Sequence, residues 1–372
     1  MNKKILLLYI SEHSGHHQAA IALEKAILER SPGSDVLSIN AFRYVNPVME
    51  SIIHGAYMRV IKKRPEIWGY LYDNPKVIKK TERLKNFINR SNSRKIEKLI
   101  SHFEPDVVAC TQAFPCGIFA SYKKRYKKDT PLVGILTDYA PHSYWIYDNV
   151  DIYVVPAKGV GEELIKKGIA KDKIKALGVP IDHSFAGSAN KSSTRKRMGI
   201  SPDERVVLVM GGTHGIGPDD KIVKSLSGSK SKFCIIVITG VNKQLLKKVE
   251  RIAGYSEKKI IPLGFVNDVS GIMDISDAII TKPGGLTTAE AMAKTLPMII
   301  LNPLPGQEDF NAKFLTGEGM AFKAISEKDA TCFLESFLDS DSKQSAMRMA
   351  MAKNAKPYSS SDIADLLLNL KH

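Results

Sequence analysis

Residues 278–311 read AIITKPGGLTTAEAMAKTLPMIILNPLPGQEDFN, and their pattern decides the fold class. A short apolar run, Ala278–Thr281, meets a Lys-Pro-Gly-Gly turn, and the spacing beyond it predicts a helix opening at Thr287 or Thr288. A second buried strand, Met298–Leu301, ends in a Pro/Gly loop carrying Gln307, Glu308 and Asn311. Strand, glycine turn and helix form one βα unit of a parallel sheet. They also form an anion pocket, because free backbone N–H groups and the positive end of the helix dipole face whatever lies beyond the turn.

The adjacent Gly284 and Gly285 permit close approach of a ligand, or serve only tight packing. Thr287-x-x-Glu290 fits a capping box, in which Glu290 satisfies the helix's own amides. Alternatively, Glu290 accepts hydrogen bonds from the two hydroxyls of a ribose. Gln307, Glu308 and Asn311 either cap a helix in a polar loop or match the vicinal hydroxyls of a hexose. Gly211-Gly212-Thr213-His214-Gly215-Ile216-Gly217 follows the strand Val206–Met210 and offers a second flexible phosphate or sugar contact. Its spacing is not the GxGxxG of dinucleotide sites. Diphosphate beside polyol describes a nucleotide sugar.

Outward from this block the βα rhythm continues. The second half holds further strands at Cys234–Thr239 and Lys259–Pro262, and the first half strands at Ile5–Ile10, Val36–Ile39, Asp106–Cys110, Leu132–Thr137 and Ile152–Val155. The fold class is therefore α/β, with two doubly wound Rossmann-like domains expected to face each other across a cleft, where ligands of open α/β sheets bind. The expected division is an acceptor-facing domain over 1–181, a polar, small-residue-rich connection over 182–204, and a donor domain over 205–345. A helical segment over 346–372, interrupted at Pro357, is expected to pack back on the first domain.

A chain of 372 residues suits two cores, and 44% apolar with 25% charged content is that of a folded globular protein. No apolar run approaches the roughly 18 residues of a spanning helix. The N-terminal apolar run stops at six residues before Glu12, so it reads as a buried strand of a cytoplasmic protein, not a signal peptide. Cys110, Cys116, Cys234 and Cys332 lack metal-ligand spacing and read as buried free thiols. The net charge of +15 is uneven: residues 51–100 hold 13 Lys/Arg against four Asp/Glu, whereas residues 301–350 hold five against eight. One domain is thus built to meet an anionic surface.

Three N-terminal features bear on chemistry. His16 falls on the first turn of a predicted helix over His16–Arg30, sharing a stripe with Ala19, Ala20, Leu23 and Ile27. A helix N-terminus disfavours imidazolium, so His16 is either a neutral base for an alcohol proton or a structural histidine at the core edge. Asp138, His142 and Trp145 follow a buried strand and either line an acceptor site or make local turn bonds. Between residues 52 and 72, Tyr57, Ile61 and Trp68 interleave with Arg59, Lys62, Lys63 and Arg64. That mixture fits the interface of an anionic bilayer, single-stranded nucleic acid, or a core helix with a solvated basic face.

Ser14–Leu23 (SGHHQAAIAL), TDYAPHSYW with Gly178–Asp182 (GVPID), and KPGGLTTAEAMAKTLPMIILNPLPGQEDFNA together resemble the inverting GT-B glycosyltransferases that include the monogalactosyl- and diglucosyl-diacylglycerol synthases. The resemblance covers essentially the whole chain. The peptidoglycan N-acetylglucosamine transferase is a more distant relative, and UDP-sugar 2-epimerases share the fold expectation. The resemblance implies a UDP-hexose donor (UDP-glucose or UDP-galactose) in the C-terminal domain, with Phe265 and Val266 at the uracil and Glu290 at the ribose. Gly284, Gly285, Leu286 and Thr287 would meet the diphosphate, with Gly211, Gly212 and Thr213 nearby, and Gln307, Glu308 and Asn311 the sugar. His16 would be the base, although His13 stands where the family has glycine and is a second imidazole. Diacylglycerol in an anionic bilayer is the implied acceptor, reached peripherally from the cytoplasmic face. Neither metal nor other cofactor, and no nucleic acid, is expected.

Overall fold

The computed structural model describes residues 2–12, 14–45, 47, 95–188, 190–213 and 215–371. His13, His214 and the whole 52–72 segment, including Tyr57, Arg59, Ile61, Lys62, Lys63, Arg64 and Trp68, lie outside the described residues. The chain forms two compact units. The first comprises Met1–His183, Pro305–Gln307 and Tyr358–His372, and the second Ser184–Leu304 and Glu308–Pro357.

The first unit is built on a parallel sheet of β1 (Lys4–Tyr9), β2 (Asp35–Asn40), β3 (Val107–Cys110), β4 (Leu132–Ile135), β5 (Ile152–Val154) and β6 (Ile174–Lys175), in the order β2-β1-β3-β4-β5-β6. Central β1 is buried from Ile5 to Tyr9, as a strand covered on both faces must be. Leu23, Ala26 and Ile27 of the helix Gly15–Arg30 pack with Ile5 and Leu7 and with Ile363, Ala364 and Leu367 of the helix Ser359–Asn369. That last helix is fastened by Ser359 Oγ donating to Val179 O and Ser360 Oγ to Ile181 O, each at 2.6 Å.

The second unit repeats the plan with β7 (Val206–Met210), β8 (Cys234–Ile238), β9 (Ile260–Leu263), β10 (Ala278–Thr281), β11 (Met298–Ile300) and β12 (Ala321–Lys323), ordered β12-β11-β10-β7-β8-β9. All pairings are parallel, and β7 and β10 are buried throughout. From Ser184 onward the stretch read as a connection is part of this unit. Arg195, on the helix Lys191–Arg197, donates to the carbonyls of Ser201, Glu204 and Ile275 at 2.7–3.1 Å, folding that polar stretch onto the domain. All four cysteines are free, but Cys332 is exposed rather than buried.

Each sheet has one point where successive connections leave in opposite directions, between β1 and β3 in the first and between β7 and β10 in the second. Ligands of open α/β sheets bind beyond the strand ends at such points.

Candidate functional site

The block over residues 278–311 lies at the second sheet's switch point, where Thr281 pairs in register with Met210. The helix after β10 is Gly285–Ala293 and begins earlier than the spacing predicted, with Gly284 as its N-cap at φ −69° and ψ 139°. This overturns the capping-box reading of Thr287 and Glu290. Thr287 lies inside the first turn, Glu290 in the second, and no side chain caps the helix. The ladder starts with Thr288 N donating to Gly284 O at 2.9 Å. The amides of Gly285, Leu286 and Thr287 therefore stand ahead of it, the geometry that binds anions. A Cβ placed on Gly284 would meet nothing within 4 Å, so the space in front of the turn is open. Among the described residues, Thr288 Oγ1 is the buried side-chain polar atom left without a partner.

The Gly211 loop lies beside this turn. Ile216 N donates to Gly211 O at 3.1 Å, and Val241 N to Thr213 O at 2.9 Å, so the loop is folded on itself and on the end of β8. Gly212 and Gly217 have φ of +70° and +129°, conformations that L side chains rarely adopt. Both face Lys282. Lys282 Nζ donates to Glu308 Oε1 at 2.6 Å, and Leu304 N to Glu308 Oε2 at 2.8 Å. Asn311, fully buried, donates from Nδ2 to Pro283 O at 2.9 Å. Glu308 and Asn311 thus brace the Lys-Pro-Gly-Gly turn, a role the sequence reading missed. Gln307 opens their helix, Gln307–Gly317, and is half-buried. After β9, Phe265 is exposed at 57% and Val266 half-buried, leaving an apolar ring open to a planar ligand.

His16 lies at the first sheet's switch point, on the first turn of the helix that follows β1. Ser14 caps that helix, its Oγ accepting from His17 N at 3.2 Å. His16 Nδ1 lies 2.9 Å from Thr111 O, beyond β3, and 2.9 Å from Thr137 Oγ1, beyond β4. A carbonyl only accepts, so Nδ1 carries the proton and the neutral ring keeps its lone pair on Nε2. Thr111 Oγ1 donates back to His16 O at 2.9 Å. Burial holds the imidazole below its ordinary pKa, opposed by the charge of Asp138 and the bond to Thr111. Thr111 and Thr137 were not legible as partners, since strand neighbours separated by about a hundred residues carry no local signal.

The acceptor-side expectations divide. Asp138 is half-buried and acts electrostatically on His16. His142 and Trp145 are both buried. His142 Nδ1 accepts from Tyr144 N at 3.0 Å and caps the short turn Ser143–Trp145, while Trp145 O accepts from Tyr153 Oη at 3.0 Å. The His142 side chain and the Trp145 carbonyl thus both make bonds within the stretch 142–153. Among the described residues no group of three or more His, Cys, Asp or Glu is placed to hold a metal ion, and no helix is long and apolar enough to cross a membrane.

Residues 16–181 match the family model of monogalactosyldiacylglycerol synthase, and residues 206–367 that of the glycosyltransferase family 28 C-terminal domain. Over 367 residues the chain is 27% identical to the processive diacylglycerol β-glucosyltransferase of Bacillus licheniformis, covering 99% of this chain and 94% of that one. Among solved structures it superposes on MurG of Acinetobacter baumannii with a TM-score of 0.67 at 15% identity, covering 99% and 100% of the two chains. The Anabaena protein HepE in complex with UDP-glucose gives 0.58 at 14% identity, covering 99% and 100%. The fold is GT-B. Between them the two family models span most of the chain, which is thus a monogalactosyldiacylglycerol synthase-like glycosyltransferase with a family 28 C-terminal domain.

Proposed function

We propose that the protein is an inverting hexosyltransferase that moves a hexose from a UDP-sugar to the hydroxyl of diacylglycerol. One observation carries this reading: a monogalactosyldiacylglycerol synthase domain and a family 28 donor domain follow each other in a single chain. The full-length relative is named for glucosyl transfer to diacylglycerol, which favours glucose as the sugar. In this reading the protein works peripherally, at the cytoplasmic face of an anionic membrane.

The chemistry follows from the residues. His16 Nε2 takes the proton of the acceptor hydroxyl as its oxygen bonds to the anomeric carbon. The bond from that carbon to the diphosphate oxygen breaks on the opposite face, so an α-linked donor yields a β-glycoside. UDP departs with the electron pair, and its charge is received by the amides of Gly285, Leu286 and Thr287 with the helix dipole behind them. In this reading those amides and the Gly211 loop supply the stabilisation, without metal or other cofactor. Phe265 and Val266 receive the uracil, Glu290 the ribose, and Gln307 and Glu308 the hexose, while Asn311, fully buried, holds the turn behind them instead of meeting the sugar.

The test is incubation of the protein with diacylglycerol liposomes and a panel of UDP-sugars, with products identified by mass and linkage. A β-glucosyl lipid from UDP-glucose is expected. Conversion of UDP-N-acetylglucosamine without any acceptor would replace the reading with epimerisation, and transfer only to a polyprenyl-linked acceptor would change the substrate class.

A further inference from the structure

Lys282 is the first residue beyond β10, at the switch point where β10 and β7 part. From the turn, its side chain touches two further pieces of the site at once. Its stem lies against Gly217, where an added Cβ would sit 3.2 Å from Lys282 Cβ and Cδ, and near Gly212, at 3.8 Å from Cε. Its ammonium ends on Glu308 at 2.6 Å, in a pair whose side chains are 20% and 7% exposed. Glu308 has its second oxygen fixed by Leu304 N, and Asn311, one turn further along the same helix, holds Pro283 O. The turn, the helix Gln307–Gly317 and the Gly211–Gly217 loop therefore meet on one lysine.

We propose that Lys282 is the positioning residue of the donor site, setting Glu308 and the 211–217 loop in the arrangement that receives a nucleoside diphosphate sugar. The inference rests on the donor reading above. A nearly buried carboxylate beside an incoming diphosphate would repel it, and the lysine offsets that charge while directing the carboxylate. Removing one member of a nearly buried pair leaves the other charge uncompensated, which costs far more than removing both. Lys282 acts through Glu308, so the two residues are coupled rather than additive.

The experiment is a double-mutant cycle on the full chain with Lys282→Met, Glu308→Gln, the double variant and Lys282→Arg. UDP and UDP-glucose binding are measured by calorimetry, donor KM and kcat by turnover, and folding by thermal melting. Lys282→Met is expected to weaken UDP-glucose binding and raise donor KM by about tenfold or more, with a smaller change in kcat, and Lys282→Arg to recover most of the loss. In the Glu308→Gln background, Lys282→Met should add less than about twofold. Losses that add across the cycle, or a Lys282→Met variant that binds as the wild type does, would overturn the proposal. If Lys282→Met does not fold, the double variant decides, because it orphans no charge. Binding within about twofold of Glu308→Gln supports the coupling, and a further loss of about tenfold rejects it. Failure of the wild type to bind either UDP or UDP-glucose would remove the donor reading itself, whereas normal wild-type binding with an indifferent Lys282→Met removes only this inference.

Discussion

The two units start from the same architecture and finish their switch-point helices in opposite ways. After β1, the helix Gly15–Arg30 closes its own end. Ser14 caps the amide of His17, and Thr111 and Thr137 fix the ring of His16, so the first turn presents one oriented side chain. After β10, the helix Gly285–Ala293 has no side-chain cap, a glycine at its entrance and open space before it, so it presents backbone amides. A closed end suits a single proton transfer, which needs one lone pair at a fixed place. An open end suits a diphosphate, whose charge is spread over many oxygens.

The largest effect should come from deleting the oriented side chain. His16→Ala is expected to lower kcat by about a hundred- to ten-thousandfold, the usual yield of a positioned base. UDP-glucose binding should remain unchanged, since the amides proposed to hold the diphosphate, at Gly285, Leu286 and Thr287, belong to the other unit. Unchanged turnover would remove His16 from the reaction; lost donor binding would show that the two ends do not divide the work.

Closing the open end should come next. Gly284→Asp places an anionic cap in a conformation that aspartate readily adopts, with room for its Cβ. The helix should hold or gain stability, while UDP-glucose affinity falls by about tenfold or more through like charge at the anion site. A melting temperature at or above wild type together with lost affinity is the expected pair. Retained affinity would show that the diphosphate sits elsewhere.

A smaller effect lies in pH. The His16 pKa is lowered from 6.5, chiefly by burial, so the acid limb of kcat/KM should fall below pH 6.5. The same shift has a sign for stability. Just below pH 6.5 the unfolded chain binds a proton at this site that the folded chain refuses, so stability falls as pH drops through that window. His16→Ala should flatten that part of the stability curve; an unchanged slope would mean that another group titrates there.

The two ends also differ in how far they can be read from residues alone. The strand runs, the parallel rhythm and the glycine turn at 284–285 are local patterns, and the doubly wound fold follows from them. Residue preferences put the start of the helix after β10 late because glycine is a poor helix former, whereas Gly285 belongs to the first turn, whose amides face outward instead of joining the ladder. For His142 the local turn bond is the one visible, its Nδ1 accepting from Tyr144 N, and a bond two residues along the chain is the kind that sequence alone can suggest but not choose. Lys282 carries no signal of its own within the very motif that fixes the fold, because its partner lies 26 residues away on a helix. Polar composition suggested a loose connection after Asp182, yet a single guanidinium at Arg195 gathers three carbonyls and makes the stretch part of a domain.

The smallest prediction tests whether the closed end is closed for stability or for aim. Ser14→Ala removes the oxygen that accepts from His17 N, and loss of such a cap costs about 1 kcal/mol. The fall in stability should therefore be modest and measurable by denaturant unfolding. Thr111 and Thr137, not Ser14, hold the imidazole, so kcat should move little. A large loss of kcat with only that modest loss of stability would mean that Ser14 also aims the ring. The end would then be closed for catalysis first and for helix stability second, and the contrast with the open end at Gly284 would be sharper still.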